Sequence, residues 1–151
     1  MAGGETDPLY QRLVLDHGRH PRNQGPLPGA THQARGDNPF CGDRWLVALI
    51  LDCDQIREVR YEGAGCAIST AAASMMSEAV AGKTSAEVER LWQSFERCIA
   101  AGELGDDLGD LAAFAGVRRY PVRVKCARLP WQTLLAALRR RGDDGATVST
   151  E

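Results

Sequence analysis

No run of about 20 consecutive apolar residues occurs in this chain, so no membrane-spanning helix is written into it. There is no basic surplus either. Eighteen Lys and Arg face 20 Asp and Glu, a net charge of −2, which leaves no electrostatic footprint for nucleic acid. The opening residues, MAGGETDPLYQ, hold no basic stretch leading into an apolar one, so no secretory leader is expected and the cytoplasm is the expected setting. GAGC is not followed by Lys-Ser or Lys-Thr, so no phosphate-cradling loop is legible, and neither is a Ser-His-Asp set. No internal repeat and no linker divides the 151 residues, which are enough for one domain with a real core. The cysteine count is five. An odd number argues against a complete disulfide framework and, in a reducing compartment, for metal ligands or reactive thiols.

Along the chain, residues 1–6 and 142–151 are expected to be disordered, leaving a domain over 7–141. Asp7 can cap a first helix with Pro8 at its first position and Leu9, Tyr10, Leu13 and Val14 as its apolar stripe. GRHPRNQGPLPG reads as a loop. ATHQARGDN reads as a polar edge strand and RWLVALILDCD as a strong apolar one. After a turn at Asp54-Gln55, IREVRYEG alternates as a third strand. CAISTAAASMMSEAVAG is then helical, with Gly82 as its C-cap. Thr84 and Glu87 form a capping box for the next helix. ELGDDLGDLAAFAGV reads as a loop and a short helix, RRYPVRVK as extended, and CARLPWQTLLAALRRR as the last helix. The expected fold is α+β, a three-stranded antiparallel sheet packed against about five helices.

Three cysteines stand apart. Cys41 lies in NPFCGD, Cys66 in GAGCAIS and Cys126 in VKCARLPW, with Asp43 two residues past the first. Three thiolates and one carboxylate make a full tetrahedral set for Zn²⁺. Cys41 falls at a tight turn where it could share a cavity with Asp43. A buried loop cysteine beside a turn aspartate fits the same letters, and spacing alone leaves both readings open. Cys66 follows Gly-x-Gly and opens a helix, whose N-terminus favours thiolate. A small packed residue would also suit that place. Cys126 reads as opening the last helix, with Arg123, Lys125 and Arg128 close by to favour thiolate and offset negative charge. Cys53, between Asp52 and Asp54, and Cys98, on the Leu91 and Phe95 face of its helix, read as packing residues. His17 and His20 form an HxxH pair, but the helix is expected to end between them, which suits capping or loop bonding better than metal binding. His32, on a polar strand, carries no signal, and Met75-Met76 reads as core.

These motifs together resemble the iron–sulfur scaffold family, the IscU and NifU N-terminal group, and within it the SufU branch. DHGRHPRNQG, NPFCGD, GAGCAIS with ASMM, and VKCARLPW carry the likeness from about Leu9 to Leu138. In the IscU branch a histidine precedes the third cysteine, where this chain has Lys125. GELGDDLGDLAAFAGVRRYPVRVK resembles the SufU insertion. The resemblance implies a SufU/IscU-like fold with Zn²⁺ on Cys41, Asp43, Cys66 and Cys126, and Lys125, Arg123 and Arg128 around them. It further implies a zinc-dependent sulfurtransferase: a persulfide on Cys41, received from a SufS-type cysteine desulfurase and passed to a SufBCD-type scaffold complex. In that scheme a partner residue replaces Cys41 on the metal and frees it to react. Two alternatives share the residues: a scaffold building a [2Fe–2S] cluster with iron in place of zinc, and a protein-binding domain with a structural zinc.

Overall fold

The computed structural model describes residues 8–39, 41–139 and 146–149. Helix α1 spans Pro8–Arg19, its proline at the position where a missing N–H costs nothing. Val14 and His17 are buried on its inner face, and Leu13 packs half-buried against the core. Asp7, residues 1–6 and the side chains of Leu9 and Tyr10 lie outside what is described. The helix ends at Arg19, between the two histidines.

Strands β1 (His32–Asn38), β2 (Asp43–Asp52) and β3 (Gln55–Ala64) form the expected antiparallel meander. Along β2 the inward positions Asp43, Trp45, Val47 and Leu49 are buried. The β2–β3 turn falls at Cys53 and Asp54, one residue earlier than expected. Both have positive φ, 53° and 63°, as a tight hairpin turn of matching twist requires. That corrects the packing role expected of Cys53, which is exposed at the tip, whereas Cys98 is buried as expected.

A fourth strand, β4 (Ala146–Ser149), pairs parallel to β1, giving the order β3-β2-β1-β4. Disorder was expected for 142–151, and for 146–149 the structure replaces it with a strand; 142–145, 150 and 151 lie outside the described residues. β1 therefore has neighbours on both sides and is not an edge. An unpaired row of backbone groups on β1 is what recruits such a strand.

Helix α2 (Ala67–Val80) is followed by Ala81 at the C-cap, with Gly82 (φ 81°) one residue beyond. Helix α3 (Ser85–Ala101) has the expected capping box of Thr84 and Glu87. A 3₁₀ helix (Gly109–Arg119) leads into α4 (Pro121–Arg139). RRYPVRVK is thus not extended. The Tyr120 carbonyl accepts from Arg123 N at 2.8 Å and Val124 N at 3.0 Å, and Pro121 again suits a first helical position. The five helical elements accompany the sheet, with α4 across β1 and β2 and α2 against α1 and α4. Met75 and Met76 are core residues. Among the described residues no helix is long and apolar enough to cross a membrane.

The GRHPRN loop is pinned to α2. His17 Nδ1 and Ser74 Oγ lie 2.6 Å apart, Arg22 N donates to the same hydroxyl at 2.9 Å, and Asn23 Nδ2 donates to Ser77 Oγ at 2.9 Å. Burial, then the Arg22 cation, hold His17 below its ordinary value near 6.5, against the carboxylates of Glu78, Asp16 and Asp110. A histidine depressed in the folded state stabilises the fold fully above its unfolded value and loses that contribution as pH falls below it. Urea midpoints of the wild type are therefore expected to drop between about pH 7.5 and about pH 5.5 by more than those of His17→Gln. Parallel curves would contradict this. Gly63, at φ 135°, sits opposite Trp45, and a Cβ there would strike the Arg44 carbonyl oxygen. Gly63→Ala is expected to destabilise the protein by about 2 kcal/mol or more in chemical denaturation, and an unchanged midpoint would refute the strain.

Candidate metal centre

Cys41, Asp43 and Cys126 come together at one end of the sheet, with one ligand atom from each within 4.8 Å of the others. They come from distant segments. Cys41 sits on the β1–β2 turn, where its amide and that of Gly42 donate to the Asn38 carbonyl at 3.2 and 2.8 Å. Gly42 takes φ 74°, a conformation that suits glycine. Asp43 is the first inward position of β2 and fully buried. Cys126 is buried on α4, its thiol 3.4 Å from Cys41 Sγ. It lies in the second turn of that helix, which corrects its expected place at a helix start.

Cys66 borders this group without meeting all three at that distance. Its backbone N–H donates to Asp43 Oδ1 at 2.9 Å, and its thiol shares a hydrogen bond with Cys126. It is the N-cap of α2, as expected, with φ −67° and ψ 172°, and its sulfur accepts from Ser69 N at 3.4 Å. The Cys66 thiol is drawn down to about 6, foremost by the Cys126 hydrogen bond; burial opposes this, and the Ser69 and Ile68 amides add to it. Cys126 moves the other way, pushed up first by the Cys66 bond and then by burial. The two thiols are pulled in opposite directions, Cys66 at a helix N-terminus toward thiolate and Cys126 toward the thiol.

The second oxygen of Asp43 is the telling atom. Oδ2 is buried and has no hydrogen-bond partner. A buried carboxylate oxygen without a partner is costly, and a cation beside it removes the cost. Two soft sulfurs within reach suit Zn²⁺ or iron better than a hard cation. The donor set therefore fits the metal that the motifs imply.

Of the surrounding cations, Arg123 stands near enough to the Cys66 and Cys126 sulfurs to feel their charge. Burial works against its charge, yet those sulfurs hold it above its ordinary value. Lys125 is half-buried beside Cys126 on α4. Arg128 turns to Glu96 of α3 at 3.6 Å. Two supports escaped the sequence reading. Trp45 Nε1 donates to Ser69 Oγ at 2.7 Å, tying β2 to the first turn of α2. Gly65 leaves room between them, since a Cβ there would lie 2.9 Å from Trp45 and 3.1 Å from Asp43 Oδ1. The inward phase of β2, shared by Asp43 and Trp45, was the available signal for the first.

Residues 9–127 match the family model described as the NifU-like N terminal domain. The chain is 39% identical over 130 residues to a zinc-dependent sulfurtransferase SufU of Bacillus subtilis, covering 85% of this chain and 88% of that one. It is 36% identical over 142 residues to an iron–sulfur cluster assembly scaffold protein IscU of Streptococcus pyogenes, covering 93% and 89%. A crystal structure from Fervidobacterium islandicum AW-1, described as an iron–sulfur cluster assembly scaffold protein for the SUF system, superposes with a TM-score of 0.81 at 34% identity, covering 88% of this chain and 98% of that one. With the motifs, the fold and most of its length in common with these proteins, the chain belongs to the NifU-like N-terminal domain family, beside its SufU and IscU members.

Proposed function

We propose that this chain is a zinc-binding sulfur acceptor in iron–sulfur cluster assembly. Cys41 takes sulfane sulfur from a SufS-type cysteine desulfurase, for delivery to a SufBCD-type complex. The observation that carries the reading is the buried Asp43 oxygen without a hydrogen bond, grouped with the Cys41 and Cys126 thiols and bordered by Cys66. The name of the Bacillus subtilis relative supports it. Cys41, Asp43, Cys66 and Cys126 would hold Zn²⁺, whose charge keeps bound thiols deprotonated at neutral pH.

Among the thiols, Cys41 is the one suited to react. Cys126 is buried in a helix, and Cys66 is engaged by the Ser69 amide. Cys41 is half-buried on a turn next to a glycine of positive φ. Its thiolate attacks the outer sulfur of the donor persulfide. A new S–S bond forms at Cys41, the donor's S–S bond breaks, and the donor cysteine leaves as thiolate, with no external oxidant or reductant.

A second reading, a scaffold that assembles a [2Fe–2S] cluster on the same residues, is supported by the names of the Streptococcus pyogenes and Fervidobacterium islandicum proteins. Thiolates suit iron as well. The test is intact mass after incubation with a purified Suf-type cysteine desulfurase and cysteine. The wild type is expected to gain one sulfur, mapped to Cys41, and Cys41→Ser none, while anaerobic iron loading leaves no stable chromophore. A stable, transferable cluster without a Cys41 adduct would favour the scaffold. Neither product, with zinc bound, would leave a structural role.

A further inference from the structure

Toward the far end of α2 from the thiols lies a cavity of about 270 Å³ that the sulfur-accepting chemistry does not use. Glu78, on its wall, stands about 18 Å from Cys66 along that helix, at a rise of about 1.5 Å per residue. Four buried apolar side chains, Met75, Leu91, Leu108 and Leu111, line its inner part. The exposed carboxylates of Glu78, Asp107 and Asp110 stand at its mouth. Against these three acids the lining sets one lysine, Lys83, whose charge also bears on Glu87 outside the cavity. Asp107 accepts from Ser94 Oγ at 3.1 Å, while Asp110 has no cation paired to it among the described residues. The atom that calls for a ligand belongs to His17, which is 5% exposed and lines the same cavity. Its Nδ1 is bonded to Ser74 Oγ, which also takes the Arg22 N–H. With Nδ1 as the donor to that hydroxyl, Nε2 is an acceptor, and Glu78 Oε1 lies 3.9 Å from it. That is too far for a direct hydrogen bond, and it leaves two acceptors with no donor between them. The charges of Glu78 and Asp110 both reach the ring.

We propose that this cavity receives one arginine side chain from a basic segment of a partner protein. The inference goes beyond the sulfur-accepting role and does not depend on it. The cavity falls below the roughly 300–1,000 Å³ of sites that enclose a whole small molecule, and it suits a single long side chain. The methylene stem would lie on Met75, Leu91 and Leu111. The guanidinium, a planar fork of N–H donors, would bridge His17 Nε2 and Glu78 Oε1, with Asp110 adding its charge. A lysine ammonium is a point charge and meets two separated acceptors less well. Leu104, 65% exposed and three residues before Asp107, offers an apolar contact for the neighbours of that arginine. The separation from the thiols would let such a partner hold the chain while Cys41 stays open.

The test uses the full chain labelled with ¹³C at its three methionine methyls, of which Met75 lines the cavity. N-acetyl-arginine N-methylamide, an arginine side chain on a capped peptide unit, is expected to move the Met75 signal saturably in the millimolar range. The citrulline counterpart has the same shape without the charge and is expected to bind about tenfold more weakly. The arginine probe should lose about as much affinity for Glu78→Gln combined with Asp110→Asn, which alters exposed carboxylates alone and should keep the wild-type Tm. Added salt should weaken the wild-type binding. A Met75 signal that stays in place, equal binding of the citrulline probe, or unchanged binding by the variant overturns the proposal. Free arginine bound about tenfold more tightly than the capped residue would give the cavity to a small molecule and overturn the docking of a partner. None of these readouts involves sulfur transfer, so their failure leaves the sulfur-accepting role standing.

Discussion

A carboxylate buried without a partner for one of its oxygens is the constraint on which this molecule turns. Asp43 is fully buried, and its Oδ1 is already engaged by the Cys66 amide. Removing such a charge from water costs several kcal/mol unless something positive stands beside it. A cation held by Asp43 and the thiols would reverse that cost and tie together the β1–β2 turn, the head of α2 and the second turn of α4. Metal binding at a site drawn from such separate segments adds directly to folding free energy. On the proposed reading the site is both a reactive centre and a clasp.

Its three cysteines divide their duties according to the backbone that carries them. A helix N-terminus makes Cys66 the natural thiolate, and a helix interior keeps Cys126 buried and fixed. A turn gives Cys41 partial access to solvent. Gly65 and the Trp45–Ser69 bond show how closely the surroundings are fitted to the acidic residue. The Arg123 guanidinium, near two of the sulfurs, supplies positive charge on the open side.

Much of this was legible in local letters. The Thr84–Glu87 capping box, the apolar run of β2 and the glycines around Cys66 each carry their own stereochemical reason. Cys41, Asp43 and Cys126 could be singled out by spacing and family motif, and the fold brings them together. What was illegible depends on tertiary context. Val122 and Val124 alternate with Arg and Lys like a strand, but the Tyr120 carbonyl and Pro121 start a helix there. Ala146–Ser149 is too short to announce itself, and it pairs because β1 offers it a partner. Cys53 reads as a packing residue until the hairpin's handedness places it at an exposed tip with positive φ.

The central claim is that Asp43 and three cysteines share one metal ion. X-ray absorption at the zinc edge, on protein purified without chelator, reports that coordination directly. The account predicts a shell of three sulfurs at about 2.3 Å and one oxygen at about 2.0 Å, with Asp43→Ala changing the oxygen shell. Four sulfurs, a shell of nitrogen and oxygen only, or protein purified free of both zinc and iron would contradict it.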